Sequence, residues 1–150
     1  IVVACNTVST TLITRLREQA NVPLVALEPM VKPAAEITKS KVIAVCATPT
    51  TLKSERYAWL KHNYATGIKV IEPDCTDWSS LIERNQINDE KIRSQIEPAL
   101  QAGADVIVLG CTHYHWIEEL MCELVEGKAK IIQPESAVIK QLQVVLAQLD

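Results

Sequence analysis

Six short, apolar, largely β-branched runs separated by stretches with helical periodicity leave this chain few ways to fold. The runs cover residues 1–4, 22–27, 41–46, 68–72, 105–109 and 130–132. Each is nearly continuous in hydrophobicity, as expected for parallel strands covered on both faces. Between and after them, residues 9–19, 31–38, 51–64, 89–101, 116–124 and 135–148 read as helices. Ile92, Ile96 and Leu100 recur every four residues and so share one helical face. Pro98 lies within the last turns of that helix and predicts a kink there. Val138, Leu142, Val145 and Leu146 form a stripe on the last helix. Strand–helix alternation of this kind predicts βαβ units and a doubly wound, parallel-sheet α/β fold. Pro23 and Pro29 punctuate the pattern, and a crossing between two lobes is expected near residues 28–30.

The bulk properties narrow the function classes. At 150 residues with 48% hydrophobic content, the chain can bury the core of one domain, or of two small lobes sharing a segment. A net charge of −3 without a Lys/Arg cluster argues against a nucleic-acid surface. No apolar run approaches the roughly 18 to 20 residues that cross a bilayer, so no membrane partner is expected. Five cysteines without a CxxC pair point to reduced thiols, as in the cytoplasm, rather than a disulfide framework. The chain opens on Ile1-Val2-Val3-Ala4, already strand-like and without an initiator Met, which predicts that the natural protein extends further upstream.

Two segments repeat one grammar. In Val2-Val3-Ala4-Cys5-Asn6-Thr7 and in Ile107-Val108-Leu109-Gly110-Cys111-Thr112-His113, an apolar strand ends, Cys follows, Thr comes within two positions, and a helix begins. Ligands of open α/β sheets bind outside the carboxyl ends of the strands, so both thiols are expected at one rim. A helix that starts there directs free N–H groups and partial positive charge at the same spot. That environment favours thiolate and can hold a carboxylate. Two such turns facing one pocket suit a racemase: one thiolate takes a proton from a carbon, and a thiol on the opposite face returns one. Inert packing is the competing reading of any one cysteine at a strand end, and it is retained for Cys46, Cys75 and Cys122.

These residues carry a family likeness. Ala4-Cys5-Asn6-Thr7-Val8-Ser9-Thr10 resembles the first cysteine signature of glutamate racemases, and Leu109-Gly110-Cys111-Thr112-His113-Tyr114 the second. Ala47-Thr48-Pro49-Thr50-Thr51-Leu52-Lys53-Ser54 resembles the family's threonine-rich substrate turn, and Glu28-Pro29-Met30-Val31-Lys32-Pro33-Ala34 its interdomain crossing. The resemblance implies two lobes, with residues 1–28 and 134–150 the remnant of the first and residues 29–133 the second. It implies cofactor-independent interconversion of L- and D-glutamate, supplying D-glutamate for peptidoglycan, with Cys5 and Cys111 as the acid/base pair. His113 would orient or protonate Cys111, and Glu83 would assist on the same side. Asn6, Thr7, Thr48, Thr51 and Thr112 would bind glutamate. The resemblance implies no cofactor and leaves a homodimer open as the assembly. Three departures stand out: the family's upstream Asp-Ser and Pro-Tyr-Gly turns are absent, His115 replaces a proline, and Gln133-Pro134-Glu135-Ser136 replaces a family Asp. Without the upstream segment, little or no activity is expected of the 150-residue chain alone.

Plainer roles compete for several residues. Thr48 and Thr51 are placed to cap a helix, Glu83 to be solvated, and His113 to be structural. His62 and His115 read as surface residues, and Trp59, Trp78 and Trp116 as fillers of core or lobe contacts. Cys111, His113 and Cys122 fit no zinc spacing, so no metal site is expected. The rivals to glutamate racemisation are an aspartate or hydantoin racemase and a non-catalytic amino-acid-binding module.

Overall fold

The computed structural model describes residues 1–149. Asp150, the last residue of the expected first-lobe remnant, lies outside them. Strands β1 (Val2–Val3), β2 (Val25–Ala26), β3 (Val42–Cys46), β4 (Lys69–Ile71), β5 (Val106–Leu109) and β6 (Lys130–Ile132) fall within the six apolar runs. The helices are α1 (Asn6–Gln19), α2 (Val31–Ile37), α3 (Pro49–Leu52), α4 (Glu55–Tyr64), α5 (Trp78–Glu83), α6 (Asp89–Gln101), α7 (Glu118–Val125) and α8 (Glu135–Ala147). A 3₁₀ turn, Thr112–Ile117, precedes α7.

Among the described residues the strands form two parallel sheets, one of β1 and β2 and one in the order β4-β3-β5-β6. The order reverses between β3 and β5, which makes the larger sheet doubly wound. Strict alternation explains why its central strands are apolar throughout. Ala44, Cys46, Ile107 and Leu109 pack against α5, α6, the 3₁₀ turn and α7. Ile43, Val45, Val106 and Val108 face α2 and α4. A central strand buried on both sides has no position at which a polar residue is tolerated without a partner.

The expected helix over 51–64 is two. Thr48 Oγ1 accepts the Thr51 N–H at the start of α3, and Ser54 Oγ accepts the Tyr57 N–H at the start of α4. Each hydroxyl satisfies a donor that a new helix start leaves orphaned, so the chain restarts at Ser54 rather than running through. Helix α6 follows the expected boundaries: Asn88 Oδ1 accepts the Lys91 N–H, Ile92 and Ile96 are buried, and Gly103 (φ +90°) lets the chain turn out. Of the three tryptophans expected in core or lobe contacts, Trp78 is in the core, whereas Trp59 and Trp116 are exposed and so are not core residues.

Asp105, just before β5, pins the turn that precedes β3. It accepts hydrogen bonds from the Thr38 hydroxyl (2.5 Å) and from the Lys39 and Ser40 N–H groups at 2.6 and 2.8 Å. Burial pushes this carboxyl up, but the bonds from Thr38, Ser40 and Lys39 outweigh it and hold the group down at about 2. A depressed folded-state value stabilises the fold above the unfolded value of about 3.9. That contribution is lost as pH falls towards 2. Asp105→Asn is therefore expected to cost roughly 1 to 2 kcal/mol at pH 7, discounted for solvent screening. The gap from wild type in urea unfolding should close as pH falls from 4 to 2; a gap constant with pH would contradict this account.

Candidate active site

The two cysteine turns have the same backbone geometry. Cys5 precedes α1 with φ −148° and ψ 117°, and Cys111 precedes the 3₁₀ turn with φ −145° and ψ 139°. Each sits two residues beyond a strand's carboxyl end, half-buried, as a free thiol. A direct bond joins the turns: Thr112 Oγ1 donates to the Ala4 carbonyl at 2.7 Å. The residue before one cysteine is thus tied to the residue after the other, across two different sheets. Gly110 permits the approach of β5 to β3 at this end. Its N–H donates to the Cys46 carbonyl at 2.7 Å, and a Cβ there would lie 3.1 Å from Ala47 Cβ.

Around Cys111 the polar groups form a chain. The sulfur lies 3.7 Å from His113 Nδ1, and His113 Nε2 lies 2.6 Å from Glu83 Oε1. Glu83 is largely exposed, so the pair works in contact with water. A carboxylate on one ring nitrogen fixes the imidazole and leaves the other facing sulfur. The Cys111 sulfur also meets Ser79 Oγ at 3.5 Å. Sequence reasoning missed Ser79 because it missed α5, whose inward face holds only Trp78 and Ile82.

The Cys5 side differs. Among the described residues its sulfur has no hydrogen-bond partner, but α1 offers a first turn with no acidic residue and no side-chain cap. Thr7, Thr48 and Thr51 meet in one hydroxyl cluster, Thr7 at 2.9 Å from Thr48 and 3.2 Å from Thr51, with Thr48 donating to Thr51 at 3.1 Å. Thr51 is fully buried, so it supports the other two rather than facing solvent. Asn6 is buried too, and neither its amide nitrogen nor its oxygen has a partner. A buried amide with both ends unpaired costs several kcal/mol in an apolar setting, and Asn6 keeps donor and acceptor capacity to spare beside the Cys5 turn.

The remaining thiols are placed differently. A hydrogen bond with Cys46, reinforced by burial, pushes the Cys75 thiol far up, so it stays protonated. Cys46 is buried in the core and Cys122 lies exposed on α7. A cleft of about 350 Å³ adjoins the Cys111 turn, walled by Ala4, Thr112, Trp116 and residues of α8. It shares only Cys111 and Thr112 with the expected site residues.

Fold and site together define an open α/β protein with paired thiol turns at the carboxyl rims of two parallel sheets. The chain belongs to the Asp/Glu/hydantoin racemase family, whose model matches residues 1–142. It is 38% identical over 152 residues to the glutamate racemase of Pseudomonas paraeruginosa, covering 98% of this chain and 57% of that one. The glutamate racemase of Methylococcus capsulatus is 37% identical over 147 residues, covering 95% of this chain and 54% of the relative. Among solved structures, Escherichia coli glutamate racemase in complex with L-glutamate and the activator UDP-MurNAc-Ala superposes with a TM-score of 0.87 at 26% identity, covering 97% of this chain and 57% of that one. Francisella tularensis glutamate racemase in complex with D-glutamate gives 0.79 at 25% identity, covering 99% and 57%. The chain spans just over half the length of the relatives it matches.

Proposed function

We propose that this chain forms the greater part of a glutamate racemase that uses Cys5 and Cys111 as opposed acid/base groups. The observation that carries the reading is the Thr112–Ala4 hydrogen bond, which holds two thiol turns of matching geometry side by side. In the reaction, one cysteine as thiolate removes the α-proton of glutamate. The other, as thiol, donates its proton to the opposite face of the same carbon. At the end the two sulfurs have exchanged protonation states, so the next turnover runs from the other side or after proton exchange with water.

A thiolate is too weak a base to remove an unactivated α-proton without help. Stabilisation of the carbanion falls to donors already in place and to a pocket closed to water. The uncapped first turn of α1, the Asn6 amide and the Thr7 hydroxyl supply donors for the substrate, and Thr48, whose proton goes to Thr51, offers its oxygen as an acceptor. His113, fixed by Glu83, passes protons between Cys111 and solvent. The Thr112 hydroxyl already spends its proton on Ala4, so it can meet a substrate only as an acceptor, while the Thr112 backbone N–H at the start of the 3₁₀ turn is left to donate. The relatives' names and the glutamate in two of the similar structures favour glutamate over aspartate or hydantoins. The product would be D-glutamate for peptidoglycan.

We also infer that residues 1–28 and 134–150 belong to a first lobe and residues 29–133 to a second. The separate β1–β2 sheet and the contact of α8 with β2 support that division. The first lobe, with two strands and exposed Ile1, Leu12 and Leu146, cannot close a dry pocket by itself. The 150-residue chain alone is expected to racemise L-glutamate negligibly. Joined to the N-terminal portion of the Pseudomonas paraeruginosa relative, it should turn over L-glutamate and not L-aspartate in a circular-dichroism assay. Robust turnover by the chain alone would overturn the lobe argument. Turnover of aspartate but not glutamate would overturn the substrate.

A further inference from the structure

Helix α5 reaches the Cys111 turn with more than Glu83. One turn earlier on the same helix, Ser79 Oγ lies 3.5 Å from the Cys111 sulfur, which His113 Nδ1 also approaches at 3.7 Å. The helix packs on the 3₁₀ turn, and Trp78 and Ile82, both buried, fix its rotation so that Ser79 and Glu83 face that turn together. Ser79 itself is half-buried, so water does not simply replace its hydroxyl. The turn that α5 packs on is itself anchored by Tyr114, fully buried, whose hydroxyl donates to the Cys75 carbonyl at 3.2 Å.

We propose that Ser79 is a positioning residue for Cys111, donating its hydroxyl proton to the sulfur whenever the sulfur is thiolate. When Cys111 is a thiol, the roles reverse and the serine oxygen accepts from the S–H. No atom leaves and no bond is made; a single O–H rotor follows the charge on sulfur. A sulfur with two partners, Ser79 and His113, is fixed in direction as well as in charge, which a group that must face one substrate carbon requires. The inference rests on the reading of Cys111 as an acid/base, but its structural content does not depend on turnover. Hydrogen bonding to the charged form of an acid favours that form.

The test uses the 150-residue chain and needs no racemase activity. Iodoacetamide alkylation of Cys111 is followed across pH by peptide mass spectrometry, which separates Cys111 from Cys5 and Cys122. In Ser79→Ala the midpoint of Cys111 alkylation should rise by about one pH unit, about tenfold less thiolate below the midpoint, with Cys5 and Cys122 unmoved. Ser79→Thr, which keeps the hydroxyl, should restore most of the loss, and thermal unfolding of both variants should match the parent. An unchanged Cys111 midpoint in Ser79→Ala overturns the proposal. So does an equal rise in Ser79→Thr, which would trace the effect to repacking of α5. In the chimera that carries the first lobe, Ser79→Ala should shift the pH profile of racemisation the same way. If Cys111→Ser stays active there while the alkylation result holds, the racemase mechanism fails and the Ser79–Cys111 bond stands.

Discussion

Cys111→Ser and Cys5→Ser, each placed singly in the chain joined to a complete first lobe, are expected to lower glutamate racemisation by about 10²- to 10⁴-fold. Serine keeps the shape and a hydrogen-bonding oxygen, so packing at these half-buried positions changes little. What it loses is an accessible anion. A thiol ionises near 8.5, whereas an alcohol gives no useful alkoxide at neutral pH, and it is a poorer donor to a carbanion. The two variants should also differ in kind. With one thiol left, proton abstraction and return can occur on one face only. In deuterated water each variant should then exchange the α-proton of one enantiomer without inverting it, and the two variants should choose opposite enantiomers. Proton NMR of glutamate reads both outcomes. Near-normal racemisation in both directions by either variant would end the two-thiol scheme.

How much of this was legible in the sequence depends on where the signal lay. The central strands β3 and β5 were plain because burial on both faces demands unbroken apolar runs. The matched cysteine turns were visible for a related reason: each apolar run stops abruptly, and the residues just past its carboxyl end form a short local pattern. Helix α5 was not visible. Two inward residues four apart, Trp78 and Ile82, are too few for periodicity to register, and Asp77, Ser79 and Ser80 read as loop. Ser79 was lost with it. The break before α4 had a local signal in Ser54, but the apolar spacing across 51–64 was the louder one. Asp105 had no local signal at all, since the turn it pins lies 65 to 67 residues away. The exposed Trp116 shows the opposite limit: sequence leaves an aromatic open between core and lobe contact, because its burial depends on neighbours that come from other segments.

The helix that was hardest to see should be among the costliest to disturb. Trp78→Ala is expected to destabilise the fold by about 3 to 5 kcal/mol, a large share of the roughly 5 to 15 kcal/mol that holds a domain together. The side chain is fully buried, its ring lies edge-on to Tyr114 with centroids 5.2 Å apart, and its N–H donates to Gln95 on α6 at 2.5 Å. Removing it opens a cavity where α5, α6 and the 3₁₀ turn converge, larger than a shift of Met121 in the same cluster can fill. Trp78→Phe keeps most of the volume and loses the bond to Gln95, which is partly exposed and can turn to water, so a cost of roughly 1 to 2 kcal/mol is expected. Urea unfolding followed by far-ultraviolet circular dichroism measures both. Because Trp78 sets the rotation of α5, the alanine variant should also loosen Glu83 from His113 and Ser79 from Cys111 below the unfolding transition. Alkylation of Cys111 would then lose its dependence on Ser79, so that Trp78→Ala and the double variant Trp78→Ala/Ser79→Ala titrate alike. If the alanine variant unfolds at the parent's urea midpoint, the packing centre of this lobe lies elsewhere, and the rigid placement of the Cys111 partners by α5 has no support.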